Sequence, residues 1–511
     1  MRTEKSIKNA IFSILANIIG MLLGFGLQAV FVRILNDEYL GINGLFSNIF
    51  TFMAIGEFGL VNALIYSLYK PIVENDYEKI KILLKYYKKL YNIIAFIIFI
   101  ISISIMPFLR VIVGEINISE SIYFIYLLFV FDIIASYLLT YKRSLLYANQ
   151  RTYIISIVHI LYLLLMNISQ VLILVIFHNF ILFLIINIIF RILENVIINV
   201  IVDRDYVWIK DKTVTELEEH DKKDIIKKVK GLLFYKIGSA VVSTTDNITI
   251  SVFLGVTTVG LYYNYNIILS AINQLFSQAF NAITSSIGNL LVEEKDKEKH
   301  YKVYKRIFFF NSWIYGFSTN LLLVVIVPFI KIWVGSKFVL SNKVLFILLL
   351  NFYLQGMRRT YMIFKEAAGV FHEDRYYSLI EAVLNIVFSI IFVNLIGLPG
   401  VFLGTIIGCL PVILYDYPIL IYKRIFNKNM IMYLKENGIF LIANILFSIL
   451  IFWICNYIKI NNMWIQLICN GILGFIIYNI LFILLFNKTE EFKYYLELIG
   501  NMIKKFRRKK E

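Results

Sequence analysis

Charge is sparse in this 511-residue sequence: Asp, Glu, Lys and Arg together make up only 16% of it. Ordinary soluble domains carry about 25%. Proline is scarcer still, with six residues, so long helices run with few interruptions. Three cysteines, Cys409, Cys455 and Cys469, all lie in apolar runs and provide no disulfide framework; they read as core packing, although Cys455 and Cys469 could meet across one hairpin. The five histidines are scattered, without the spacing of a metal site, so no metal is expected. No G-x-x-x-x-G-K-[ST] run occurs, which removes the usual ATP-binding loop; no cofactor is expected.

What is abundant is apolar surface. Hydrophobic residues make up 59% of the chain and the mean hydropathy is +0.76. A chain of this length cannot hide that much Ile, Leu and Phe from water, so the bilayer is the solvent that fits. A span needs roughly 20 apolar residues. Fourteen segments qualify: 10–33, 41–69, 90–112, 121–141, 153–177, 181–202, 232–254, 261–286, 307–333, 344–364, 378–396, 401–421, 437–458 and 464–486. Backbone groups in lipid must pair internally, and no alternating strand pattern occurs, so the expected class is an all-α polytopic membrane protein. The run 10–32 is too long for a cleaved signal and reads as the first span.

The net charge of +16 would suggest nucleic acid in a soluble protein. Its distribution argues otherwise. With the N-terminus inside, forty Lys and Arg fall in the segments of that face and six on the other. That is the positive-inside pattern, with both termini cytoplasmic in a cell membrane and no nucleic-acid partner. The basic tail from Lys504 to Lys510 is expected on anionic lipid. The longest polar segment, 203–231, follows six spans, and loops on the outer face are about ten residues or shorter, so neither face has room for a catalytic domain.

The two halves resemble each other. Pro107-Phe-Leu-Arg-Val-Ile-Val-Gly114 closes span 3, and Pro328-Phe-Ile-Lys-Ile-Trp-Val-Gly335 closes span 9. Arg143…Arg151-Thr-Tyr153 follows span 4, and Lys365…Arg375-Tyr-Tyr377 follows span 10. Six spans per unit imply a parallel repeat: an N-terminal lobe (1–202), a linker (203–231), a C-terminal lobe (232–424), and two further helices with the tail (425–511), read as an appendage.

Together with Glu57-Phe-Gly59-Leu60 in span 2 and Arg143-Ser-Leu-Leu-Tyr-Ala-Asn-Gln-Arg151-Thr-Tyr153 after span 4, this organisation resembles the multidrug/oligosaccharidyl-lipid/polysaccharide exporter superfamily. Within it, the chain is similar to the polysaccharide repeat-unit flippases of the Wzx type. The resemblance implies a non-enzymatic carrier that moves an undecaprenyl-diphosphate-linked oligosaccharide between leaflets for capsule, exopolysaccharide or O-antigen-like polymer. It implies membrane lipid and other polysaccharide-assembly proteins as further partners. A drug or cation antiporter of the same superfamily and a membrane-embedded polymerase are the rivals. The antiporter would favour an acidic cavity, and the polymerase would need substantial outer loops.

Ionisable groups at membrane depth are costly, so each requires a reason. Arg191, Arg358, Arg359, Lys236 and Arg33 are the candidate cations for a phosphate-binding cavity, since a guanidinium fork pairs phosphate oxygens and stays charged. Each has a plainer alternative. Arg191 could pair on its own helix face with Glu194; Arg358, Arg359 and Lys236 could snorkel to the cytoplasm; Arg33 could anchor headgroups. Asp132, Asp246 and Glu381 lack a sequence-local basic partner and are candidates for a coupling ion, together with Glu57 beside Gly56 and Gly59. Amides including Asn266, Asn273, Gln274, Gln278 and Asn281 would line a sugar path or hydrogen-bond between helices. Gly20-x-x-x-Gly24 and Gly400-x-x-x-Gly404-x-x-x-Gly408 are expected to be close-packing stripes.

Overall fold

The computed structural model describes residues 2–210, 216–368, 375–458 and 460–508. The long helices are α1 (Arg2–Ile34), α2 (Asp37–Glu74), α3 (Tyr77–Ile105), α4 (Ile122–Tyr137), α5 (Thr152–Phe177), α6 (Phe180–Asp205) and α7 (Glu219–Leu254). They continue as α8 (Val256–Glu293), α9 (Lys297–Trp333), α10 (Asn342–Ala367), α11 (Arg375–Ile396), α12 (Leu398–Pro411), α13 (Met430–Tyr457), α14 (Met463–Phe486) and α15 (Glu490–Arg508). No strand occurs among the described residues. Each of the fourteen expected spans falls on one of α1 to α14, and the protein is an all-α polytopic membrane protein. Among the described residues, ten helical stretches are long and apolar enough to cross a membrane by length and composition; α2, α7, α8 and α10 are not among them.

Helix ends follow local chemistry. Asp76 accepts from the Lys79 amide at 2.9 Å and Asn179 from the Leu182 amide at 2.9 Å, each satisfying an N-terminal donor that the helix cannot. Gly255, at φ +84°, makes the turn between α7 and α8, a conformation that L side chains rarely adopt. Most of the expected 203–231 linker is helical: α6 runs to Asp205, and α7 starts at Glu219 with Asp221 paired to Lys79 at 2.9 Å. The short loop after residue 113 is tied to α2, with Glu38 accepting from the Asn117 amide and Tyr39 donating to Glu120. Burial pushes the Glu120 carboxyl up, but the bonds from Tyr39 and Ser119 outweigh it and hold its pKa below the ordinary value.

The chain forms two compact units, 1–263 and 264–511. In the first, α1 packs on α5, α2 on α7, and α6 on α4 and α5. Its core holds ring clusters: Phe31 edge-on to Phe180 and Phe183, and Phe46 edge-on to Tyr126 and Phe129. The helices are apolar outward and polar inward. On α5, Leu161, Leu165 and Leu172 are more than half exposed, whereas Asn167 and Gln170 are buried. Water would reverse that arrangement; lipid requires it.

In the second unit α11 and α12 are pressed together along Gly400, Gly404 and Gly408. A Cβ on Gly404 would lie 2.3 Å from the Ser389 backbone nitrogen, and one on Gly400 would lie 2.1 Å from the Phe392 carbonyl oxygen. The expected stripe is therefore a contact between backbones. Gly20-x-x-x-Gly24 is only half of one: Gly20 meets Leu163 of α5, and nothing lies within 4 Å of a Cβ at Gly24. Beyond Pro411 the chain winds as π-helix over Val412–Asp416 and Pro418–Ile425.

Helices α13 and α14 are integral to the second unit rather than an appendage. Tyr478 donates to the Trp313 carbonyl, Asn320 to Asn444 at 2.7 Å, and Trp313 to Asn479 at 3.0 Å, all along α9. Phe309, Ile451, Phe482 and Phe486 fill the space between these polar contacts. The start of α15 docks through Glu491 on Lys305 at 2.7 Å.

Candidate functional site

The embedded charges sort into those that are compensated and those that are not. Arg191 on α6 donates from Nε to Asp132 Oδ1 on α4 at 2.6 Å. The expected same-helix pair with Glu194 is replaced by this one across helices. Glu194 turns to other cations: its Oε1 lies 3.4 Å from Arg143 Nη2 and 3.0 Å from His159 Nδ1. Arg143 also donates to Asn195 at 2.6 Å. One clamp thus joins the short helix Arg143–Ala148, α5 and α6. Arg143 and His159 were not among the expected site residues.

The second unit contains a clamp of similar design. Arg358 on α10 reaches Glu381 on α11, with Nη2 to Oε2 at 2.8 Å, and Tyr417 beyond α12, with Nε to the hydroxyl at 3.0 Å. Gln355 accepts from Nη1 at 2.9 Å. Here a cation of α10 holds groups from α11 and from the chain beyond α12. Burying either charge alone costs several kcal/mol, so the pairing keeps both tolerable at depth. Asp132 and Glu381, chosen as ion candidates because neither had a sequence-local partner, each have a partner on another helix.

Arg359, one residue on, points elsewhere. It donates from Nη2 to Asn281 on α8, and among the described residues it makes no ion pair. Its Nε is buried with no hydrogen-bond partner among the described residues. The packing explains its position. The Tyr315 ring of α9 sits where a Cβ on Gly356 would be, 2.0 Å from Cδ1. That glycine lets α10 close on α9, while the Tyr315 hydroxyl donates to Asn273 of α8 at 3.1 Å and Phe276 meets the ring edge-on at 5.1 Å. Tyr315 thereby fixes α8 against α10, with Arg359 beside Asn281.

Along α8, Asn266, Ser270, Gln274, Gln278 and Asn281 recur at three- or four-residue intervals and so share one face. Ser270, Gln274 and Asn281 are exposed. Ser270 donates to Asn266 at 3.3 Å. The site is a row of amides and a hydroxyl with one guanidinium at its end.

The remaining candidates stand apart. Arg33 is exposed in the last turn of α1, and Asp246 is buried on α7. Glu57 lies on α2 and Lys236 on α7; their side chains are outside the described residues. No group of three or more His, Cys, Asp or Glu positioned for a metal ion occurs among the described residues.

Helices polar inside and apolar outside, with charges neutralised in depth, make a polytopic membrane protein. The solved structures it matches are of that kind. The lipid II flippase MurJ, in an inward closed conformation, superposes with a TM-score of 0.65 at 14% identity, over 94% of this chain and 99% of the flippase. An inward-facing multidrug resistance MATE family transporter of the MOP superfamily gives a TM-score of 0.60 at 15% identity, over 78% of this chain and 94% of the transporter. A MATE transporter in a bent conformation gives 0.51 at 14% identity, over 86% and 97%. The fold is therefore the one these solved structures share. No family model matches the sequence, and no curated protein does either.

Proposed function

We propose that the protein is a flippase that carries an undecaprenyl-diphosphate-linked oligosaccharide across the cytoplasmic membrane for surface polysaccharide synthesis. The observation that carries this reading is Arg359: a cation without a carboxylate partner among the described residues, set at the end of the amide row on α8. A diphosphate needs such a guanidinium, and sugar hydroxyls need amides that both donate and accept. Amides exposed on a helix among apolar spans require water around them, which a sugar chain in transit also requires. Arg191 and Arg358, already joined to carboxylates, serve as helix clamps in this reading. Both termini lie in the cytoplasm, the two halves act as lobes, and rocking between them exposes the site alternately without ATP.

A carrier of cationic drugs would instead expose an unneutralised acid. Asp132, Glu194 and Glu381 each sit against a cation.

The test is leaflet-resolved transport in vesicles loaded with a fluorescent undecaprenyl-diphosphate oligosaccharide. Protein-dependent movement of the label to the protected leaflet is expected. Arg359→Ala should slow it about tenfold or more, the worth of one charge-assisted hydrogen bond, and Arg359→Lys should restore part of the rate. Undiminished transport by Arg359→Ala overturns the site. No transport by the native protein, with H⁺ and Na⁺ gradients each imposed, overturns the function.

A further inference from the structure

Pro328 lies inside α9, five residues before its end. Lacking an N–H, it leaves the Val324 carbonyl one turn earlier without its helical donor. Asn470 of α14 supplies that donor, Nδ2 to the Val324 oxygen at 2.8 Å. Gln466, one turn before Asn470, donates to Asn470 Oδ1 at 2.7 Å and to the Ile458 carbonyl at 3.1 Å, and accepts from the Ile460 amide at 2.7 Å. These bonds hold the α13–α14 connection over the end of α9. They also prop open a cleft of about 370 Å³ between the three helices.

The cleft has an apolar floor and a polar rim. Val327 and Phe452 line it one turn deeper along α9 and α13; Lys331, Asn456, Asn461 and Met463 line it nearer the α13–α14 connection. Lys331 is exposed and makes no ion pair among the described residues. Three large aromatic rings mark the level of this end in the membrane. Trp453 is 68% exposed, Tyr457 83% and Trp464 61%, and such amphipathic rings gather where hydrocarbon meets headgroups. The volume suits one small headgroup.

We propose that this cleft binds the phosphate headgroup of an anionic glycerophospholipid, such as phosphatidylglycerol. The Lys331 ammonium pairs with the phosphate, and the Asn456 and Asn461 amides bond the glycerol hydroxyls. The acyl chains descend along the apolar surface of α13 and α14, where Ile449, Ile468 and Ile472 are exposed. The bound lipid would tie α9 to the α13–α14 hairpin at the end opposite the lysine-rich start of α9. The proposal rests on the membrane setting of these helices and is independent of the substrate assigned to Arg359.

Native mass spectrometry of the full-length protein, equilibrated with equimolar phosphatidylglycerol and phosphatidylcholine in mixed micelles, tests it. The native protein should retain phosphatidylglycerol with about a fivefold preference, as expected for one lysine at a headgroup phosphate. Lys331→Gln should abolish the preference, Lys331→Arg should keep it, and Lys337→Gln, outside the cleft at the same end, should leave it intact. Equal retention of the two lipids by the native protein overturns the proposal, as does an unchanged preference in Lys331→Gln or an equal loss in Lys337→Gln. Displacement of phosphatidylglycerol by undecaprenyl diphosphate, dependent on Lys331, also overturns it, by making the cleft part of the substrate path. Failure of transport in Arg359→Ala bears on none of these outcomes.

Discussion

At the residue scale, removing Arg191 strands Asp132 in an apolar surround, and the cost of a broken pair exceeds the worth of the intact one. Neither side chain is fully enclosed by protein, so Arg191→Leu should destabilise by on the order of 2–3 kcal/mol, read as a lower melting temperature in detergent. The double variant Arg191→Leu with Asp132→Leu should recover most of that loss; a double variant as unstable as the single one would refute the clamp. The sequence showed that such charges needed partners but not which ones. Glu194 stood three residues from Arg191, an inviting same-face neighbour, yet the partner lies 59 residues away on another helix. Arg358 and Arg359 were indistinguishable as adjacent arginines. Their roughly 100° divergence on the helix sends one into a clamp and the other to α8, and no local pattern records which is which. Asn266, Gln274, Gln278 and Asn281 were legible in the sequence as candidate liners, and their spacing, with that of Ser270, puts them on one helical face.

At the element scale, a stripe of glycines matters where another backbone fills the space their side chains would take. Gly404→Ala would drive a methyl into the α11 backbone at Ser389 and should lower the melting temperature by an amount matching about 1–3 kcal/mol of overpacking, whereas Gly24→Ala should leave it unchanged. Equal effects at the two positions would refute this distinction. Both stripes have the same spacing in the sequence. Only the second meets a partner backbone along its length, which depends on tertiary contacts that a spacing rule cannot see. Pro328 sits near the end of α9, within the expected span 307–333; what the sequence could not show is that Asn470, 142 residues downstream, replaces the missing donor.

At the scale of the whole molecule, the hydropathy pattern located each of α1 to α14, since span length is set by bilayer thickness rather than by partner choice. It could not tell that α13 and α14 are built into the second unit, because that attachment consists of isolated amides and a ring hydroxyl placed along apolar helices. A chain ending at residue 428 would leave Asn320, wholly buried in the intact protein, facing lipid without Asn444. It should fail to accumulate in membranes, and co-expression of residues 429–511 as a separate piece should rescue it; a shortened chain that accumulates and transports normally would refute the integral role. The paired charges have a further, electrical consequence. Arg191 with Asp132, Arg143 with Glu194 and Arg358 with Glu381 each sum to zero. Such dipoles can shift within the membrane's electric field with almost no work, whereas a lone elementary charge carried across it involves about 2.3 kcal/mol per 100 mV. Arg359 is outside those pairs, so its displacement would be sensed by the voltage, and an anionic cargo seated on it would reverse the sign of that response.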